Sequence, residues 1–219
     1  MTLQQTEHIH VCALRHIPEM VKQTGARHLV SAINADCLPV TPAAISRDRH
    51  LKLDMHDITE LQPGTTLPST EHVLELLDFV QSWDRQAPIL IHCFAGLSRS
   101  TAAAFITLCA LNPRAPEVAI AQALRRSSDT AIPNRLFVML ADKVLHREGR
   151  MVAALDSMGQ NRIANECVPF GIEALHGPNE TATSACPLIS CSAPRTSSAP
   201  GERAHLRNRN IRAAAPSRL

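Results

Sequence analysis

Residues 88–111 read PILIHCFAGLSRSTAAAFITLCAL, and the fold follows from how that stretch changes character. Pro88 to His92 is short and almost wholly apolar, the pattern of a central strand buried on both faces. From Ser100 to Leu111 the chain is rich in Ala, Leu, Ile and Phe and reads as a helix. Between the two lies a loop, Phe94 to Ser98, that contains Gly96; Cys93 ends the strand and Arg99 opens the helix. In such a unit the backbone N–H groups from Phe94, Ala95, Gly96, Leu97, Ser98 and Arg99 can curl toward one point and join the positive end of the helix. The result is a cradle sized for a phosphate. Gly96 permits a backbone conformation, and an approach to the ligand, that a side chain would hinder.

Working outward, three more stretches have strand character: His8–Leu14, Arg27–Ile33 and His50–Met55. Ile17 to Gly25 reads as a helix with a glycine stop. Ser69-Thr70-Glu71 opens an amphipathic helix that places Val73, Leu76, Leu77, Phe79, Val80 and Trp83 on or near one face. Pro116–Arg126 and Asn134–His146 read as further helices. Strands interleaved with helices, then helices in succession, predict an α/β fold: a central, mostly parallel sheet of about four to five strands flanked by helices. The expected organisation is one domain over 1–150 and an extension of uncertain structure over 151–175. In that extension a helix and an extended piece ending in Val168-Pro169-Phe170 are the candidates. Residues 176–219 carry Pro, Ser, Thr, Ala and Arg without periodicity and are expected to be a disordered tail, in which Cys186 and Cys191 have no evident role.

Composition narrows the classes. Hydrophobic residues make up 45% and charged residues 19%, as in ordinary soluble domains, and the net charge of +2 points to no polyanionic partner. Five Phe, one Trp and no Tyr argue against a stacking platform for single strands, so no nucleic-acid partner is expected. Seven cysteines without regular or C-x-x-C spacing predict reduced thiols rather than disulfides or a metal site; no metal and no cofactor are expected. No signal-peptide profile and no membrane-length apolar run are evident, and a cytoplasmic protein without a membrane partner is expected. Oligomeric state is not legible.

A lone cysteine at the end of an apolar strand is most often a core residue. The conjunction overturns that reading here: strand before, helix after, Gly96 inside, and Arg99 six positions beyond Cys93. Thiols at helix N-termini ionise readily, which makes Cys93 the candidate nucleophile for in-line attack on phosphorus. Arg99 offers a planar, permanently charged fork for two phosphate oxygens, a contact that lysine cannot reproduce. Ser100 is placed to donate to the Cys93 sulfur. His92 is expected to fix loop backbone rather than act as a base.

The string HCFAGLSRS resembles the H-C-x-x-G-x-x-R-S signature of the cysteine-based protein-tyrosine and dual-specificity phosphatases. Ala131-Ile132-Pro133-Asn134 before an apolar helix is similar to that family's Pro-Asn feature. The resemblance runs from about Ile9 to His146 and is closest to compact bacterial members. It implies a three-layer sandwich, a phosphatase catalytic domain over 1–150, a phosphocysteine intermediate, no metal, and a general-acid aspartate upstream. Asp57, beyond the strand pattern of HLKLDMHDITE, is the preferred acid; Asp54 is the alternative and Asp84 a weaker one. His50 and His56 flank that loop; contact with substrate is considered for them but not expected. The function implied is hydrolysis of phosphotyrosine, with phosphoserine and phosphothreonine as further candidates. A phosphatase for a non-protein phosphomonoester and a non-catalytic phosphate-binding module remain alternatives.

Overall fold

The computed structural model describes residues 7–174. Five strands and six α-helices follow in chain order: β1 (His8–Ala13), α1 (Ile17–Thr24), β2 (His28–Ala32), β3 (His50–Leu53), α2 (Thr70–Ser82), β4 (Ile89–Cys93), α3 (Arg99–Leu111), α4 (Glu117–Ser127), α5 (Arg135–Val144), α6 (Arg150–Asp156) and β5 (Phe170–Glu173). They build a single sheet in the order β3-β2-β4-β1-β5. The pairs β1–β4, β2–β4 and β2–β3 are parallel, and only β5 is antiparallel, against β1. The expected mostly parallel sheet flanked by helices is therefore present.

Alternation along the strands assigns each face. Ile9 and Val11 of β1, Val30 of β2, and Ile89 and Ile91 of β4 enter the main core, where they pack with the helices of the second half of the chain. Their neighbours Cys12, Leu29 and Leu90 point the other way, into a smaller cluster with Ile17, Met20 and Val21 of α1. One helix thus covers one face and the rest cover the other. The helix ends follow local chemistry. Gly25 closes α1 with a left-handed φ of 68°. Ser69 opens α2 with its hydroxyl accepting from the His72 amide.

The segment expected as an extension beyond residue 150 holds a helix and a strand. Segment 151–174 contributes most of α6 and the edge strand β5, whose Ile172 is buried in the main core. The described residues form one compact unit. The expectations for 176–219 lie outside the described residues. Among the described residues no helix is long and apolar enough to cross a membrane.

Candidate active site

Cys93 is the last residue of β4 and Arg99 the first of α3, so the intervening loop stands at the carboxyl edge of the parallel strands. The loop's carbonyls are turned outward and held there. Leu14 N–H donates to Phe94 O at 3.1 Å, Cys167 N–H to Ala95 O at 2.9 Å, Ile132 N–H to Leu97 O at 2.8 Å and Asn134 N–H to Ser98 O at 3.3 Å. Thr101 Oγ1 donates to Leu97 O at 2.6 Å. With carbonyls fixed outward, the peptide N–H groups between them face the loop's centre. Gly96 takes a φ of 73°, and its N–H donates to Cys93 Sγ at 3.2 Å.

Cys93 is buried, and its sulfur lies 3.2 Å from Ser100 Oγ. Arg99 is also buried, with Nη1 donating to Met55 O at 2.8 Å. Its Nε has no hydrogen-bond partner among the described residues, and Asp57 Oδ2 stands 3.9 Å away. A buried guanidinium with a spare donor at the edge of an amide ring is suited to an anion.

Of the two leading acid candidates, Asp57 reaches this loop. Its Oδ1 accepts from Ser98 Oγ at 2.6 Å and from Asn134 Nδ2 at 2.9 Å. Asp54 turns away and accepts from the Ala35 amide at 2.7 Å. Asp84 pairs with Arg49 at 3.1 Å. Phe94 is 59% exposed.

His92 is fully buried beneath the loop, with Nδ1 3.1 Å from Cys93 O and Nε2 2.6 Å from Ser31 Oγ. Ser31 Oγ lies 2.7 Å from His50 Nε2, and His50 Nδ1 lies 2.7 Å from Thr41 Oγ1. Burial depresses both imidazoles to about 4, which leaves them neutral. The donors then follow by elimination. The Cys93 carbonyl only accepts, so His92 Nδ1–H donates to it and Nε2 accepts from Ser31. Ser31 accepts in turn from His50 Nε2–H, and His50 Nδ1 accepts from Thr41. His50 is therefore an interior strut, not the substrate contact considered from the sequence. His56 Nδ1 accepts from the Thr66 amide at 3.0 Å within its own loop.

Three contributors carried no signal in the linear chain. Ser31 and Thr41 complete the relay under the loop. Cys167 lies against Gly96, where an added Cβ would meet its Sγ and come within 2.9 Å of Ala13 N. Burial first, then the Cys93 and Glu166 charges, pushes the Cys167 thiol up to about 11. Glu166 beside it binds Arg15 and His16, at 2.6 and 2.9 Å. Asn134 was legible only as half of a Pro-Asn pair, without a role.

The protein-tyrosine phosphatase family model matches residues 48–130, which span Asp57, Cys93 and Arg99. No curated protein matches the chain. Among solved structures, human DUSP28 is similar at 17% identity over 67% of this chain and 93% of its own, with a TM-score of 0.49. A PTP-2 phosphatase of Cydia pomonella is similar at 18% identity over 74% and 92%, with a TM-score of 0.49. DUSP15 is similar at 16% over 68% and 87%, with a TM-score of 0.48. The segment 48–130, which carries the loop from Cys93 to Arg99, is thus similar to the protein-tyrosine phosphatase family.

Proposed function

We propose that this phosphatase hydrolyses phosphotyrosine in proteins, with phosphoserine and phosphothreonine as secondary substrates, through a phosphocysteine formed on Cys93. The observation that carries the proposal is the convergence of Cys93 Sγ, the Gly96 amide, the Ser100 hydroxyl, buried Arg99 and Asp57 on one loop. In the first step the Cys93 thiolate attacks phosphorus in line while Arg99 and the loop amides hold the equatorial oxygens. The phosphorus–oxygen ester bond breaks, and protonated Asp57 gives its proton to the leaving oxygen. In the second step water attacks the phosphocysteine and loses its proton to Asp57. The sulfur–phosphorus bond breaks, the sulfur leaves as thiolate with Ser100 donating to it, and inorganic phosphate departs.

The character of the mouth supports a phosphoprotein over a highly charged small substrate. Phe94, Ala95, Leu97 and Ser98 bring no charge into the loop. Phe94 and Ile132, 59% and 49% exposed, lie in the loop or tied to it and offer apolar surface beside the phosphate position. Such surface suits an aryl ester. The five free cysteines among the described residues, Cys93 included, fit a reducing compartment, and we place the protein in the cytoplasm.

The test is hydrolysis of p-nitrophenyl phosphate and of a phosphotyrosine peptide by the wild type and three variants. Cys93→Ser is expected to abolish activity. Arg99→Lys should reduce it on the order of 10²-fold or more. Asp57→Asn should lose about 10²–10⁴-fold on the peptide, and much less on the nitrophenyl ester, whose leaving group needs little protonation. Equal activity of Cys93→Ser and wild type would end the proposal.

A further inference from the structure

Asn134 commits every polar atom it has to one junction. It is buried, and its side-chain oxygen accepts from the Phe137 amide at 3.0 Å, which caps α5. Its backbone N–H donates to Ser98 O at 3.3 Å. Its side-chain nitrogen donates to Asp57 Oδ1 at 2.9 Å and to Ile58 O at 3.4 Å. A helix cap needs only the oxygen, and Ser or Asp would supply it as well. The nitrogen is the half of the amide that capping does not explain, and it is directed at Asp57.

The Ser98 hydroxyl donates to the same Asp57 oxygen at 2.6 Å. Oδ1 thus receives two hydrogen bonds from fixed groups, one on the nucleophile loop and one at the start of α5. Oδ2 receives neither and lies on the Arg99 side, 3.9 Å from Nε. A carboxyl group that accepts twice through one oxygen carries its proton on the other. We infer that Asn134, together with Ser98, is a positioning residue for the acid: it pins Asp57 Oδ1 so that Oδ2 delivers the proton to the leaving oxygen and recovers it from water. The inference rests on Asp57 being the general acid. It gives the Pro-Asn pair before α5 a chemical role, because one residue ties the acid loop, the nucleophile loop and a helix start into one rigid geometry.

The experiment compares phenyl phosphate, a poor leaving group, with p-nitrophenyl phosphate, a good one of similar size. Asn134→Ser keeps a capping oxygen and removes the donor. It is expected to lose about tenfold or more in kcat/KM on phenyl phosphate and several-fold less on the nitrophenyl ester. Ser98→Ala should show the same asymmetry. The double variant Asp57→Asn with Asn134→Ser should fall no lower than Asp57→Asn alone, because both act through one proton transfer. Thermal unfolding of Asn134→Ser reports the cap separately. Equal losses on both esters, or losses that multiply in the double variant, would overturn the inference while the acid assignment stands. Asp57→Asn that is itself insensitive to the leaving group would remove the acid assignment, and the inference with it.

Discussion

His92 and His50 are neutral in the folded chain because burial holds both at about 4, and the relay they form depends on that neutrality. His92 Nε2 accepts a hydrogen bond from the Ser31 hydroxyl at 2.6 Å, and a protonated ring would turn that acceptor into a second donor. Protonation therefore costs hydrogen bonds as well as burial. An unfolded histidine titrates near 6.5. Between that value and about 4 the unfolded chain takes up protons that the folded chain refuses, so stability increases with pH across the window. The contribution is complete above about 6.5 and is lost as pH falls toward 4. Urea unfolding at pH 7 and pH 5 should give a clearly lower midpoint at pH 5, and part of the difference should vanish in His50→Gln. A midpoint unchanged between the two would contradict the neutral relay. Gly96 shows the complementary constraint at this scale. Its positive φ disfavours a side chain, and the space that a Cβ would need is occupied by Cys167 and the β1 backbone.

At the scale of elements, the strand–loop–helix unit around Cys93 was legible because it is local. An apolar strand, a glycine loop and an apolar helix are contiguous, and each is set by its own periodicity. Strand β5 was not. It has four residues, FGIE, follows an irregular stretch, and acquires its structure by pairing with β1, the far end of the described chain. The alternation signal that reveals longer strands has almost no length over which to appear. The same holds for the contacts of Asp57: Asn134 and Asp57 are 77 residues apart, and only the packed fold joins them. The edge strand is nonetheless structural. Ile172 is buried in the main core, and Ile172→Ala should destabilise the protein by about 2–5 kcal/mol, the usual cost of such a truncation. Equilibrium urea denaturation measures this, and a loss within about 0.5 kcal/mol, the range of surface substitutions, would show that β5 is dispensable.

For the molecule as a whole, a parallel sheet concentrates chemistry at one edge, because its parallel strands all end on the same side. The chain leaving β1 supplies Leu14, which holds the loop at Phe94; the segment after β3 brings Asp57; β4 ends in Cys93. The turn before α5 adds Ile132 and Asn134, and the segment before β5 adds Cys167, which holds Ala95. Four separate backbone donors thus fix the carbonyls of one loop, within which the Gly96 amide and the Ser100 hydroxyl meet a single sulfur. The proposed catalysis requires that sulfur to become covalently attached to phosphorus. Wild-type enzyme mixed with a radiolabelled phosphotyrosine peptide and quenched in acid during turnover should retain label, and peptide mapping should locate it on Cys93. Cys93→Ser under the same conditions should retain none. Rapid turnover with no label on the protein, or with label on any other residue, would contradict the account.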